Sequence, residues 1–267
     1  MSKLFVSGLF IYPVKSLGGI ELNEAHVGNR GLMYDRRWML IDDNNTFITQ
    51  RNNHALALLQ TDLENSFLKI GSKKDKSRFI RVPLNPQPTE RIKADVWGDI
   101  CLAEVAADEV NQWFTQILGM SCRLVYMPED SIRQVDVTFA KGGEITSFTD
   151  GYPIMLIGEA SLKDLNNRLP LPVPMNRFRP NIVFTGGYPY QEDDLHKFMI
   201  NEMSFLGVKL CGRCVITTVN QDEGTASDEP LRTLSTYRKK ENKVLFGQNV
   251  LPVNNGIVKV GDEIQPA

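Results

Sequence analysis

From Leu4 to about Val105, apolar and polar residues exchange places over short runs broken by turn formers, and no run keeps a helical period. Arg37 to Ile41 and Phe47 to Arg51 flank the turn-forming Asp42-Asp43-Asn44-Asn45-Thr46, which predicts a hairpin. A second hairpin is predicted across Leu63-Glu64-Asn65-Ser66, a strand over Phe79 to Pro83, and two more strands, Ile92 to Val96 and Ile100 to Val105, around Trp97-Gly98-Asp99. Short strands at this spacing suggest a barrel or a strongly curled sheet. The pattern then changes. Asp108 is a good N-cap, and Val110, Trp113, Phe114, Ile117 and Leu118 fall on one helical face before Gly119 ends it.

Beyond that helix, Leu124 to Met127 reads as a strand, and the next twenty or so residues, through Lys141-Gly142-Gly143-Glu144, show no period, as a mobile segment beside a site would. Strands follow at Ile154 to Ile157, Asn181 to Thr185 and Val215 to Val219, with short helices at Ser161 to Leu169 and Leu231 to Arg238. Asn254-Asn255-Gly256 is a turn between the final strands, and no internal repeat is present.

Composition narrows the function classes without choosing one. At 267 residues the chain can bury one large or two small cores. A formal net charge of -2 gives no reason to expect nucleic acid or an acidic membrane as a partner, so any anion site must be built from local Lys and Arg. No apolar run approaches the ~20 residues that span a bilayer, and the opening residues read as a first strand and turn rather than a signal peptide. Four cysteines in a chain this long do not make a disulfide framework, and a reducing cytoplasm is the expected home.

Chemistry concentrates at Cys211-Gly212-Arg213-Cys214. A structural zinc site needs four ligands, and Cys101, Cys122 and the three histidines form no second motif. A thioredoxin-like pair needs a helix starting at the motif, where a strand is predicted instead. Two readings remain open on the residues alone. Both thiols could be small buried apolar groups, or one could be a thiolate ligand to a redox metal, with Arg213 beside it to hold an anion.

The surroundings of the motif resemble a known family. Cys211 to Gly224, then Pro230-Leu231-Arg232-Thr233-Leu234 and Leu245-Phe246-Gly247-Gln248, resemble the C-terminal half of MOSC-domain proteins, which bind the molybdenum cofactor and include the mitochondrial amidoxime reducing component and its bacterial relatives. The resemblance continues upstream in Tyr12-Pro13-Val14-Lys15-Ser16, Tyr34-Asp35-Arg36-Arg37-Trp38, Thr149-Asp150-Gly151-Tyr152-Pro153 and Phe178-Arg179-Pro180-Asn181-Ile182-Val183. It implies a mainly β fold with some α: a MOSC β-barrel over residues 121–267 and a β-rich N-terminal MOSC-associated domain over 1–120, with the cofactor in the cleft between them. Carried over position by position, it implies that Lys15, Ser16, Arg36, Gly151, Tyr152, Arg179, Asn181, Gly212 and Arg213 hold the cofactor. By the same resemblance Cys214 ligates the metal and Asp150 relays a proton near it.

The implied activity is reduction of N-hydroxylated small molecules such as amidoximes, hydroxylamines or modified bases. Electrons would come from a separate flavin, ferredoxin or haem protein, since the sequence carries no further cysteine cluster for an iron–sulfur centre and no membrane anchor. The alternative is a MOSC protein that carries sulfur as a persulfide on Cys214 without redox turnover. One position departs from the family: Asn220 stands where an Asp is common, so it can hold the loop through backbone amides only with less charge.

Overall fold

The computed structural model describes residues 3–87, 90–140 and 142–267. Its centre is a closed ring of seven strands. Ile154–Gly158 pairs with Ile182–Thr185, which pairs with Leu4–Ile11, followed around the ring by Glu263–Pro266, Lys197–Ile200, Met203–Arg213 and Lys243–Pro252, and the last of these pairs back to Ile154–Gly158. Inward side chains of the ring, among them Val6, Leu9, Leu156, Ile182, Phe184, Phe198, Phe205 and Val250, fill it as one buried cluster. Closure abolishes the exposed edges that an open sheet of this size would carry.

The longest ring strand, Met203–Arg213, has to bend to follow the wall. Its register with Lys243–Pro252 shifts between Gly207 and Lys209 and again between Leu210 and Gly212, and such bulges kink a strand and sharpen its twist. Gly207 is needed there because a Cβ would meet the Leu195 carbonyl oxygen at 2.1 Å. The second irregularity lies in the cysteine motif itself, which delivers Cys211 to Cys214 at the end of the barrel.

Two smaller sheets pack beside this end. A four-stranded antiparallel sheet runs Trp38–Ile41, Arg123–Tyr126, Asp99–Val105, Glu90–Val96, and a three-stranded meander runs Leu59–Glu64, Phe67–Ser72, Phe79–Pro83. The helix Asp108–Leu118 covers a second core, burying Val110 and Phe114 against Trp38, Leu40 and Leu124. The first strand of the chain belongs to the barrel, so the Tyr12–Ser16 turn leaves the barrel end and leads toward the smaller sheets, beside the cysteine motif. A third sheet joins Gly256–Lys259 to Glu24–Gly28 and Gly31–Leu32.

Several local expectations change. The hairpin after Ile41 keeps its turn, where Asp42 accepts the amides of Asn44 and Thr46, but the returning arm makes only a bridge at Phe47. Asp108 opens its helix from the first turn rather than capping it, and Ala107 holds the cap position without a side-chain bond. Gly119 ends the helix at φ 67°, the left-handed conformation glycine tolerates. The third helix is shorter than expected, Leu231–Ser235.

The largest change is at Val215 to Val219. The strand runs into the cysteine motif as far as Arg213 instead of following it, and Val215–Thr218 is a single 3₁₀ turn. Thr217 Oγ1 donates to the Cys214 carbonyl at 3.0 Å and Thr218 Oγ1 to the Val215 carbonyl at 2.7 Å. These local bonds favour the turn over the extended chain that β-branched residues otherwise prefer.

Candidate functional site

One cavity of about 480 Å³ opens where the barrel end meets the four-stranded sheet, and the structure brings to it Lys15, Ser16, Arg36, Asp150, Gly151, Tyr152, Arg179, Asn181, Gly212, Arg213 and Cys214. These residues come from five separate stretches. Lys15 and Ser16 follow the first barrel strand, Arg36 precedes Trp38–Ile41, and Asp150 to Tyr152 precede Ile154–Gly158. Arg179 and Asn181 lead into Ile182–Thr185, and the cysteine motif closes Met203–Arg213.

The charge on the wall is lopsided. Among the described residues, eight Lys and Arg side chains line the cavity and Asp150 is the single carboxylate, in a chain whose formal net charge is -2. Lys15 is buried, and its ammonium donates to the Phe148 carbonyl at 2.8 Å and to Asp150 Oδ1 at 2.5 Å. Burial pulls its pKa down to about 8, against the partial restoring effect of Asp150. Arg179 is lowered to about 10, chiefly by burial and then by the neighbouring Arg36 charge. Arg36 and Arg179 stand 4.3 and 4.2 Å from the Tyr12 ring centroid. The Arg36 charge makes Arg179 harder to keep protonated, and the Asp35 carboxylate behind Arg36 offsets only part of that repulsion.

Asp150 answers two cations. Burial acts to raise its pKa, but the charges of Lys15 and Arg51, with hydrogen bonds from Lys15 and from Trp97 Nε1, hold it well below the usual carboxylate range. Its side chain is 56% exposed, so water screens part of that attraction. Asp35, just behind the wall, is fully buried and takes the Tyr12 amide at 2.8 Å and Arg36 Nη1 at 2.5 Å, so Arg36 pairs with Asp35 as well as lining the cavity.

Other expected residues are more constrained than free ligand-binding groups would be. Asn181 is buried, accepts from Arg36 Nη1 and the Met155 amide, and donates to the Phe10 carbonyl. It braces the site from behind. Arg213 donates to the Phe246 and Phe178 carbonyls at 2.7 and 3.0 Å. Ser16, Arg36 and Arg179 all hold positive φ, at 71°, 49° and 52°, a costly backbone for residues that are not glycine. Three strained residues at one cavity wall mark it as a place where geometry outranks stability.

All four cysteines are free. Cys211 lies in the strand and burial raises its pKa, while Cys214 follows the strand end and starts the 3₁₀ turn. Among the described residues no three His, Cys, Asp or Glu side chains come together as a metal cage, so the motif offers single thiols, not a four-ligand zinc site. Asn220 holds the following loop as its position requires, with Oδ1 accepting the amides of Asp222 and Glu223 at 3.0 and 3.3 Å.

Sequence reading missed Arg51, Trp97, Arg177, Lys209 and Lys243, which also line the cavity. Arg177 sits two residues before Arg179 and donates to the Thr217 and Thr218 carbonyls, and Lys209 opens the cysteine stretch, so proximity to a motif could have found both. Trp97 had the stronger signal: a bulky aromatic in a turn position that suits Asn. Arg51 and Lys243 carry no sequence signal.

A closed β-barrel with a cationic cavity at one end and a thiol on its wall defines a barrel protein with a site suited to an anion. Residues 3–121 match the family described as the MOSC N-terminal beta barrel domain, and residues 144–265 match the MOSC domain. The chain belongs to the MOSC family. It is 33% identical to mitochondrial amidoxime-reducing component 1 of Mus musculus over 97% of this chain and 81% of that protein. The Homo sapiens protein of the same name is also 33% identical, over 97% and 82%. Molybdenum cofactor sulfurase of Oryza sativa subsp. japonica is 31% identical over 100% of this chain, which spans only 36% of that longer protein.

The molybdenum cofactor, a pterin with a dithiolene and a phosphate tail, can be tested against the wall. The cation excess suits its anionic groups, and guanidinium forks suit phosphate oxygens. Among the described residues Tyr152 Oη and Arg51 Nη1 are buried on the wall without a hydrogen-bond partner, and a Cβ built at Gly151 meets nothing within 4 Å. The residues present fit the group.

Proposed function

We propose that this chain is a molybdenum-cofactor-dependent oxidoreductase that reduces N-hydroxylated small molecules with electrons from a separate electron-transfer protein. The observation that carries the reading is the cavity of eight cations and one carboxylate with Cys214 on its wall. Lys15, Ser16, Arg36, Arg179 and Arg213 would hold the anionic groups, with the backbone at Gly151, Tyr152 and Gly212 against the pterin, Asn181 bracing Arg36, and the Cys214 thiolate as the protein ligand to molybdenum. When bound, the cofactor supplies the two-electron exchange that, with two protons, converts R–NHOH to R–NH2 and water.

The expected proton relay by Asp150 takes a particular form. A carboxylate held in its charged form by Lys15 and Arg51 is a poor donor at neutral pH. Lys15, lowered to about 8, is the group that can give a proton to the cavity near neutral pH, and Asp150 keeps it charged and oriented. Among the described residues no helix is long and apolar enough to cross a membrane. The cytoplasmic setting belongs to the same proposal, with the free cysteines in its support.

The rice relative, a molybdenum cofactor sulfurase, favours a second reading in which Cys214 carries a persulfide. One experiment separates them. Protein made in a cofactor-producing host is supplied with reduced methyl viologen and an amidoxime. Amidine formation that disappears in Cys214→Ser supports the oxidoreductase. No reduction by protein carrying its full cofactor, with a mass gain of one sulfur atom on Cys214, overturns it in favour of the carrier.

A further inference from the structure

Trp97 is the wall residue that its own local structure explains least. It forms the turn between Glu90–Val96 and Asp99–Val105 with Gly98, and both have positive φ, 61° and 89°. Two-residue hairpin turns of this kind take Asn, Asp or Gly first, and the left-handed backbone there disfavours a bulky residue. Packing takes up only part of the ring, because Trp97 stays 45% exposed.

The indole is nonetheless fixed. The Arg51 guanidinium lies 4.2 Å from its ring centroid, the Phe47 ring is 4.5 Å away, and Nε1 donates to Asp150 Oδ1 at 3.3 Å. A strained backbone, an exposed aromatic surface and a locked orientation coincide on the cavity wall. A ring fixed in this way, at a turn position that suits a small residue, leaves aromatic surface available to a molecule in the cavity.

We propose that Trp97 is the substrate platform of this cavity: its indole stacks the flat, conjugated part of an N-hydroxylated substrate and selects aryl over alkyl compounds. The substrate class rests on the reading above. A ring already held by Arg51, Phe47 and Asp150 loses little freedom when a substrate packs on it, so the stacking energy appears in binding. Aromatic pairs contribute ~0.5–1.5 kcal/mol beyond area burial, which corresponds to a preference of up to about tenfold. Trp97 would act as a specificity residue, not in the proton chemistry of Lys15.

The test compares benzamidoxime with cyclohexanecarboxamidoxime, rings of equal carbon count, one flat and one puckered. With reduced methyl viologen as donor, the ratio of kcat/KM for the aryl over the alkyl compound is measured in the wild type, Trp97→Asn and Trp97→Phe. Asn-Gly is the preferred pair for this turn, so Trp97→Asn keeps the hairpin. The ratio should fall about five- to tenfold in Trp97→Asn, through KM, and be largely restored in Trp97→Phe, which keeps a ring but no donor to Asp150. An unchanged ratio in Trp97→Asn, or an equal loss in Trp97→Phe, overturns the proposal. If the cofactor-loaded wild type reduces neither compound, the functional reading above fails, and equilibrium binding of the same two compounds decides this one. A wild-type preference for the aryl compound that Trp97→Asn abolishes supports it, and equal affinities overturn it.

Discussion

Lys15 sits where its own charge is unwelcome: buried, with other cations nearby, and held charged mainly by one partly solvated carboxylate. Its folded pKa, about 8, lies below the ordinary 10.5, so between these values the unfolded chain binds more protons than the folded one and stability rises with pH. The cost at neutral pH is on the order of 3 kcal/mol. In urea unfolding, the stability of the wild type relative to Lys15→Met should therefore increase from pH 8 to 10.5, and a flat difference would contradict the burial. At this scale the sequence was most informative. Lys15, Arg36, Arg179 and Cys214 were legible through ordered motifs, whereas Arg51 and Lys243 reach the cavity only because distant strands bring them there.

Among the elements, the loop after Cys214 depends on a buried amide pair. Gln50 Nε2 donates to the Ser16 carbonyl at 2.6 Å and to Gln221 Oε1 at 3.1 Å, and Gln221 Nε2 donates back to Gln50 Oε1 at 2.9 Å. One side chain thus ties the Ser16 turn to the loop that leaves the cysteine motif. Gln50→Leu leaves buried polar groups unpaired, which costs about 1–3 kcal/mol. Amide exchange across residues 214–227 should quicken while the barrel strands stay protected, and unchanged exchange there would show that the pair does not hold the loop. The 3₁₀ turn at Val215–Thr218 explains why this region was misread: β-branching pointed to a strand, and the threonine back-bonds that decide the turn depend on where the preceding strand ends. Periodicity did find Glu90–Val96 and Asp99–Val105 with their turn, because both strands and their contact are local.

Across the whole molecule, the mainly β barrel fold was legible from strand spacing and motif order, but the strand pairings that close it were not. Leu4–Ile11 is completed by strands more than 170 residues away, Ile182–Thr185 and Glu263–Pro266, and no local pattern encodes such pairings. That closure matters for function, since it sets the Tyr12–Ser16 turn against the cysteine motif and gathers eight cations around one cavity. Such a site holds like charges together at a cost in stability that a bound anion would relieve. The most direct measurement is the molybdenum and pterin content, by mass spectrometry, of protein made in a cofactor-producing host, beside Cys214→Ser. Close to one molybdenum and one pterin per wild-type chain, with metal lost or loosened in the variant, is the predicted result. Protein from the same competent host that carries no pterin would contradict the account.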